Sequence, residues 1–446
     1  MTKDFVNNER EKQYAGHGSV KAAGTHFEYE DGTLYYPFGT TVYALFYQPE
    51  KRIDMTMATL RESGFNKIRV CLFPKHYDYN GEEPEVFPFE KGEDGAWDMK
   101  CPVPRFWDHV ERRIRELDEM GIQCDLILFH PYDRWGFSTL PKEDALAYLE
   151  YVVKRLGDLP NIWWSLANEY DLMDYTEEDW KQFAAFIREK DECRHLLSNH
   201  NMAHLWDFAD PNTTHISIQT KNVDEVSKLI RRYEKPLVVD ECCYEGNIPK
   251  EWGNISGFEM AERFWKVFVQ GGYASHGETF LDEDDVLWWS KGGLLKGESA
   301  SRIAFLRRIA ESMPGPVAFD GMDLTMEEVE QFMQLPQEYL PEPFGKLVKK
   351  CTPREVYDMI LANREFTGHC GEDVFVKYMS RHCAAVTEMN LPEKGVYDID
   401  CIDIWKMTTE RVKEGVSGKV ELTLPGKEGI AVLARKRVEK EAEDDV

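Results

Sequence analysis

The sequence has no long apolar run and an excess of acidic residues, and each feature excludes a class of protein. No stretch of the 446 residues approaches about 18 consecutive apolar residues, so no segment is predicted to span a bilayer. The 54 lysines and arginines stand against 81 aspartates and glutamates, which gives a net charge of −27. Such a surface repels phosphate backbones and anionic membranes, so neither nucleic acid nor a membrane is an expected partner.

The spacings that bind metals are missing as well. None of the ten cysteines forms the Cys-x₂₋₄-Cys pairs of zinc clusters. The chain also begins without the apolar core of a secretory signal. We therefore expect reduced, buried thiols in a cytoplasmic protein, and we predict no metal and no cofactor.

What the sequence does contain is a regular alternation of strand-like and helix-like segments. The segment 105–120 places its apolar residues at helical spacing, and similar stretches lie between most of the strand-like runs. Eight buried parallel strands that alternate with helices predict an α/β fold, a (β/α)₈ TIM barrel. A doubly wound sheet is the competing fold, but the first strand lacks its Gly-rich phosphate loop. The strand-like runs are 38–44, 67–73, 123–130, 161–166, 194–199, 215–219, 236–241 and 272–277.

A second domain is predicted after the barrel. From residue 353 the apolar residues alternate with period 2 between turn residues, which is typical of a small all-β sandwich. We interpret it as a structural cap and not a carbohydrate-binding module, because Trp405 is its only tryptophan. The predicted segments are a lead-in (1–25), the barrel (26–316), a connector (317–352), the sandwich (353–440) and a charged tail (441–446).

Two carboxylates stand at the ends of the fourth and seventh predicted strands. Asn168-Glu169 follows the fourth strand, and Glu241 ends the seventh. In a barrel the carboxyl ends of the strands meet at one mouth, where catalytic groups lie. Two carboxyls about 5–5.5 Å apart suit a retaining glycosidase, and an adjacent asparagine can hold a sugar 2-hydroxyl. Each glutamate alone could equally be a helix N-cap, so the prediction depends on the two together.

These motifs resemble those of a known enzyme group. Asn168-Glu169 and the segment Lys235 to Glu241 resemble the signatures of the clan A retaining glycoside hydrolases. Within that clan, the segments Phe27 to Thr41 and Trp288 to Leu306 resemble the apiosidase-like glycosidases, which carry a C-terminal β-sandwich. The resemblance covers residues ~25–315. It implies that Glu169 is the acid/base and Glu241 the nucleophile.

The resemblance also implies how the nucleophile is held. Arg69 matches the clan's arginine that supports the nucleophile, since a nearby cation keeps a carboxylate ionised. Many clan members place a tyrosine at the end of the sixth strand, and this chain has Gln219 there. Tyr244, three residues after Glu241, is a candidate substitute.

Further strand-end residues are candidates for binding a sugar. Planar polar groups bind hydroxyls, and aromatic faces bind sugar rings. For each histidine the competing interpretation is a core residue bonded to backbone, and for the tryptophans it is barrel packing. The predicted substrate-binding residues are Arg69, His130, Asn168, His200, Gln219, Tyr244, His276, Trp288 and Trp289.

The sequence therefore predicts a retaining glycoside hydrolase that cleaves a small oligosaccharide or glycoside by double displacement. Two other functions stay open: a non-catalytic sugar-binding barrel and a metal-dependent TIM-barrel hydrolase. The latter would want a His-x-His on its first strand, which carries no histidine. The expected partner is a carbohydrate, and a homo-oligomer is left open.

Overall fold

Eight parallel strands form one sheet in the computed structural model, which describes residues 17–281, 283, 287–321, 323–340, 342–362 and 364–437. In space the strands follow the order fifth, fourth, third, second, first, eighth, seventh, sixth. A parallel bridge between His200 and Ser217 joins the two outer strands and closes the sheet. The predicted TIM barrel is confirmed. Its strands are β1 (Phe38–Thr41), β2 (Lys67–Cys71), β3 (Gln123–Phe129), β4 (Ile162–Ala167), β5 (Leu196–Ser198), β6 (Ile216–Gln219), β7 (Leu237–Glu241) and β8 (Tyr273–His276).

Helices separate most of these strands along the chain. Thr176 and Asp179 form a capping box that starts the fourth helix, and Pro104 occupies the first turn of the second, where its missing N–H costs nothing. The helices are α1 (Glu50–Glu62), α2 (Pro104–Glu119), α3 (Lys142–Leu156), α4 (Glu177–Lys190), α5 (Val226–Tyr233), α6 (Gly257–Val269), α7 (Trp288–Lys291) and α8 (Ser299–Glu311). Short 3₁₀ turns lie at Leu45–Tyr47, Tyr170–Leu172, Val223–Glu225 and Glu251–Gly253.

A small antiparallel sheet precedes the barrel. It consists of Val20–Ala23, His26–Tyr29 and Leu34–Tyr35. Phe27 projects from it against the rings of Trp163 and Tyr273, with centroids 4.9 and 5.4 Å away. Because these two aromatics begin β4 and β8, the small sheet covers the amino-terminal end of the barrel and leaves the other end for a site. Two further pairs are Phe89–Lys91 with Trp97–Pro102 and Glu245–Gly246 with Glu278–Thr279.

The chain divides into two compact units. The first comprises the residues up to 222, 233–264 and 272–311, and the second comprises 223–232, 265–271 and the residues from 312 onward. Among the described residues, no helix is long and apolar enough to cross a membrane.

The second unit contains the predicted β-sandwich, which is confirmed. Antiparallel strands form a six-stranded sheet in the order β9-β10-β11-β16-β13-β14 and a two-stranded sheet of β12 and β15. A core that includes Tyr397, Ile399, Leu422 and Val432 contains residues of both sheets. The strands are β9 (Ala318–Phe319), β10 (Phe366–Cys370), β11 (Val374–Tyr378), β12 (Val386–Asn390), β13 (Tyr397–Asp403), β14 (Thr408–Val416), β15 (Lys419–Thr423) and β16 (Ile430–Lys436).

The beginning of this β-rich region differs from the period-2 pattern expected from residue 353. Residues Pro353–Ala362 form a helix, α11, which follows α9 (Met326–Gln334) and α10 (Phe344–Val348). The reason is local, because Thr352 and Glu355 bond each other's backbone N–H groups in a capping box. Residues 441–446, the predicted tail, lie outside the described residues.

Candidate active site

The two predicted catalytic carboxylates lie at the carboxyl-terminal mouth of the barrel. Glu241 is the last residue of β7, and Glu169 follows β4 by two residues. Both are largely buried, at 8% and 6% exposure. The backbone of Glu169 is left-handed (φ 55°), a strained conformation for a residue with a side chain and one that clusters at functional sites.

Both carboxylates line one cavity of about 450 Å³. Its wall combines aromatic rings with a few charged groups, the composition expected of a pocket for a small polar ligand. The lining residues are Tyr43, Lys75, Tyr77, Asp78, Tyr79, Tyr132, Asn168, Glu169, Met202, Gln219, Thr220, Lys221, Glu241, Cys243, Tyr244, Lys250, Glu251, Trp252 and Trp289.

Gln219, the last residue of β6, joins the two carboxylates. With its amide in the orientation that satisfies both groups, Nε2 lies 2.9 Å from Glu241 Oε2 and 3.1 Å from Glu169 Oε1. Since one nitrogen contacts both oxygens, these oxygens are no more than about 6 Å apart, the sum of the two distances. The glutamine therefore fixes the spacing of the pair.

Glu241 is held by groups from three other strand ends. Arg69 of β2 donates Nη1 to Glu241 Oε1 at 3.1 Å, and the Tyr43 hydroxyl donates to the same oxygen. His200 Nε2 lies 4.0 Å from that oxygen. Arg69 is fully buried, so its charge acts on the carboxylate through a medium of low polarity.

Glu169 sits in a different environment. The Tyr132 hydroxyl donates to its Oε2. Burial, with the negative charge of Glu241 as the second cause, raises the pKa of Glu169 to about 7. One carboxyl paired with an arginine and another kept protonated near neutrality is the arrangement that divides base and acid roles between two like groups.

Asn168 lies between the carboxylates and is oriented by its own partners. Its Oδ1 accepts from Arg69 Nη1 at 2.8 Å and contacts the Tyr43 hydroxyl at 3.1 Å. With the carbonyl engaged in this way, the side-chain NH₂ is the group that Asn168 can offer to a ligand in the cavity.

Four of the nine predicted binding residues line this cavity, and a fifth lies directly behind them. Asn168, Gln219, Tyr244 and Trp289 line the cavity, and Arg69 lies behind them against Glu241. Burial and the charge of Glu241 raise the pKa of Tyr244 well above its usual value. The phenol that bonds Glu241, however, is Tyr43 from the end of β1 and not Tyr244.

The other four are not among the described residues of the cavity wall, and packing explains why. His130 Nε2 donates to the carbonyl of Phe73 at 3.2 Å and packs on the Phe73 ring, with centroids 4.1 Å apart. Burial lowers the pKa of His130 and of His200 well below the usual value. His200 backs the site, since its Nδ1 faces the backbone N–H of Glu169 at 3.4 Å.

Thr40 holds the remaining two. Its hydroxyl is 3.1 Å from His276 Nδ1 and accepts from Trp288 Nε1 at 2.8 Å. His276 also stacks on Phe65 at 4.8 Å, and burial lowers its pKa to about 3. The two tryptophans lie on the short helix α7, which sends Trp289 into the cavity and Trp288 into the packing.

Several cavity residues are missing from the predicted set. Tyr43, Lys75, Tyr77 and Tyr132 follow the ends of β1, β2 and β3 within a few residues. The rule that barrel sites are built from βα loops would have found them, had it been applied to tyrosines and lysines as well as to histidines.

One other group of potential metal ligands lies among the described residues. Glu245, His276 and Glu278 are buried close together. The two carboxylates accept the backbone N–H groups of residues 296–299 at the start of α8, at 2.5–3.0 Å. Carboxylates in that position satisfy the free N–H groups of a helix end, which explains the cluster as a structural cap.

A barrel with two facing carboxylates at its mouth is the architecture of the TIM-barrel glycoside hydrolases. Residues 21–314 match the family model described as apiosidase-like, catalytic domain, and residues 364–435 match a domain of unknown function, DUF5605. Because the first match covers well over half of the chain, this protein belongs to the apiosidase-like family. It is a glycosidase, and its substrate is a carbohydrate.

Solved structures agree with this assignment. A structure from Bacteroides vulgatus ATCC 8482, described as a candidate glycoside hydrolase, is 31% identical with a TM-score of 0.78; the match covers 95% of this chain and 83% of that one. A glycoside hydrolase family 5 structure from the same organism is 14% identical with a TM-score of 0.68, over 95% and 94% of the two chains, and shows the fold alone. No match is found among curated proteins.

Proposed function

We propose that this glycosidase retains the configuration of the anomeric carbon and acts by double displacement. Glu241 attacks the anomeric carbon while Glu169 gives its proton to the oxygen of the leaving group. Glu169, now a carboxylate, takes a proton from water, and that water releases the sugar from Glu241. At the end Glu169 is again protonated and Glu241 is again free.

The observation that carries this proposal is the amide nitrogen shared between the carboxylates. An oxygen separation of no more than about 6 Å agrees with the ~5–5.5 Å of retaining enzymes. Inverting enzymes need about 6.5–9.5 Å, so that a water molecule fits between the carboxyl and the sugar. The different electrostatic surroundings of Glu169 and Glu241 support the assignment of acid and nucleophile.

The test is the stereochemistry of the first product. A panel of 4-nitrophenyl glycosides and plant oligosaccharides identifies a substrate, and proton NMR then records which anomer forms first. Retention is expected. Glu169→Gln should slow substrates with poor leaving groups most, since these need the acid, and Glu189→Gln on the exposed end of α4 is the matched control. Inversion of the first product would contradict the proposal.

Three finer predictions accompany the mechanism. We expect a short oligosaccharide or glycoside as substrate, a cytoplasmic location and no cofactor. Activity that is lost on chelation and restored by a divalent cation would instead favour the metal-dependent hydrolase. Unchanged hydrolysis by Glu241→Ala would contradict the glycosidase site proposed for this cavity.

A further inference from the structure

Lys75 is a buried cation in the cavity with no role in the mechanism above. It lies four residues after β2 and is 3% exposed. Its ammonium makes no hydrogen bond and no ion pair with any side chain among the described residues, although it lines the cavity beside Glu169 and Glu241. Burying an unpaired ammonium is costly, so its position calls for a ligand.

Aromatic rings surround this ammonium. The Lys75 Nζ lies 3.3 Å from the ring centroid of Tyr43 and 4.4 Å from that of Tyr132. Tyr77 and Trp289 are more distant, at 5.0 and 5.9 Å. The faces of such rings attract a cation and return part of the lost hydration. A ring face is a weaker acceptor than a carboxylate oxygen, so the ammonium keeps its capacity to donate to a carboxylate.

The loop that carries Lys75 is fixed from both sides. The side chain of Asn80 donates to the carbonyl of Lys75, and the backbone N–H of His76 donates to Tyr132 O at 2.9 Å. A cation held in a rigid loop is ready for a ligand without rearrangement, which favours binding.

The charges around Lys75 leave it uncompensated. Arg69 is already paired with Glu241, at 3.1 Å. Burial raises the pKa of Glu169 to about 7, and the mechanism needs that group protonated before the first step. In this working state the buried charged groups Arg69, Lys75 and Glu241 carry two positive charges and one negative charge, in a protein whose net charge is −27. An anionic group on the substrate would balance the second cation.

The position of Lys75 indicates which part of the substrate bears that group. Its ammonium is closest to the ring of Tyr43, whose hydroxyl bonds Glu241. Glu241 attacks the sugar that becomes bound to the enzyme. The ring of Tyr132 beside Glu169 is farther from Lys75, at 4.4 Å, so Lys75 lies nearer to this sugar than to the leaving group. We propose that Lys75 binds a carboxylate on the transferred sugar and that the substrate is a hexuronide; this inference rests on the proposed function.

The experiment compares matched chromogenic substrates. Wild-type protein, Lys75→Met and a control, Lys91→Met, are assayed with the α and β anomers of 4-nitrophenyl glucuronide, galacturonide, glucoside and galactoside. Methionine keeps the length of the side chain over the rings and removes the charge. Lys91 also lies over an aromatic ring, at 4.7 Å from that of Trp97, but is not a described residue of the cavity wall.

We expect the wild type to prefer a hexuronide over its neutral counterpart. Lys75→Met should reduce kcat/KM for the hexuronide by roughly 10- to 100-fold, the size of a charge-assisted hydrogen bond, and change the neutral glycoside by less than about 3-fold. Lys91→Met should change neither. Equal losses on both substrates, or a wild type that prefers the neutral glycosides, would overturn the inference.

A binding measurement separates this inference from the mechanism. Calorimetry with free glucuronic and galacturonic acids, and with glucose and galactose as neutral partners, needs no turnover. Binding of a uronic acid that Lys75→Met abolishes supports the site even if no glycoside is hydrolysed, in which case the proposed function alone fails. Equal affinity for acid and neutral sugar refutes the anionic ligand whatever the activity.

Discussion

Asp240 and Glu241 are neighbours on β7, yet their carboxylates belong to two different kinds of charge cluster. Asp240 is fully buried and accepts from Lys67 Nζ at 2.8 Å, Ser217 Oγ at 2.6 Å and Ser275 Oγ at 2.9 Å. Lys67 also contacts Asp125, at 2.6 Å. In this interior cluster, which combines residues of five barrel strands, the lysine binds two carboxylates.

The cluster at the mouth is built from similar groups but is not closed, since not every charged group in it has a hydrogen-bond partner of opposite charge. Glu241 accepts hydrogen bonds from Arg69 and Tyr43. Lys75, in contrast, has no hydrogen-bond acceptor among the described side chains, and burial raises the pKa of Glu169. Ion pairing and hydrogen bonds from Lys67 hold the pKa of Asp240 well below its usual range despite its burial. The comparison teaches that a satisfied buried cluster stabilises the fold, while an incomplete one marks where a ligand completes it.

Among the substitutions that test this comparison, Glu241→Ala should have the largest effect on activity. Glu241→Ala should lower kcat/KM by about 10⁴-fold or more, because the covalent intermediate cannot form. The buried Arg69 loses its partner Glu241 but keeps its bond to Asn168 and its contact with Asp125, so the loss of thermal stability should be smaller than that caused by Asp240→Ala. Added azide, a small nucleophile that fits the vacated space, should restore activity with formation of a glycosyl azide. Activity above about 1% without azide would show that another group is the nucleophile.

The opposite result is expected one residue earlier. Asp240→Ala removes one of the two carboxylates that bind the buried Lys67 and leaves the Ser217 and Ser275 hydroxyls without their acceptor, and breaking a buried pair of this kind costs about 3–5 kcal/mol. Urea unfolding followed by tryptophan fluorescence measures the loss. Asp240→Asn, which loses the charge but keeps an oxygen acceptor for Lys67 and the two serines, should lose less stability. An Asp240→Ala protein as stable as the wild type would show that the interior cluster does not stabilise the fold.

The sequence predicts the barrel well because the information is local. Each strand is a short apolar run bounded by turn residues, and Asn168-Glu169 and Glu241 lie directly at strand ends, where position along the chain fixes position in space. The eight predicted runs all contain the observed strands or overlap them. Helix α11 differs from its prediction as a β segment, because the capping box at Thr352 and Glu355 starts a helix there.

The details of the site depend on contacts between distant parts of the chain, which one sequence does not reveal. The strand-like run 38–44 continues through Tyr43, whereas β1 ends at Thr41 and Tyr43 reaches Glu241, 198 residues away. His130 directly follows β3, where a catalytic residue would be expected, but the ring of Phe73 from the segment after β2 covers it. Which side chain enters the cavity is decided by such neighbours and not by the strand end itself.

Substitution of Tyr43 tests how far activity depends on a residue that the sequence did not indicate as part of the site. Tyr43→Phe removes the hydroxyl that bonds Glu241 and keeps the ring under Lys75. We expect kcat/KM to fall by about 10- to 100-fold, the loss of one hydrogen bond to a charged group, with little change in stability. Tyr244→Phe is the comparison, and it should have the smaller effect because its hydroxyl, although near Glu241, makes no hydrogen bond of good geometry with a described group. The reverse order would make Tyr244 the supporting phenol.

The smallest expected effect is a shift along the pH axis. Glu169 must be protonated to act as the acid, so kcat/KM should fall as pH rises through its pKa of about 7. The Tyr132 hydroxyl donates to the carboxylate form and lowers that pKa; Tyr132→Phe removes this bond, so the pKa rises and the alkaline limb of the profile moves to higher pH. Tyr175→Phe, which loses only a bond to the Leu140 carbonyl, should leave the limb in place. A limb that moves to lower pH in Tyr132→Phe would mean that Glu169 is not the group that titrates. Another residue at the mouth of the barrel would then have to be the acid.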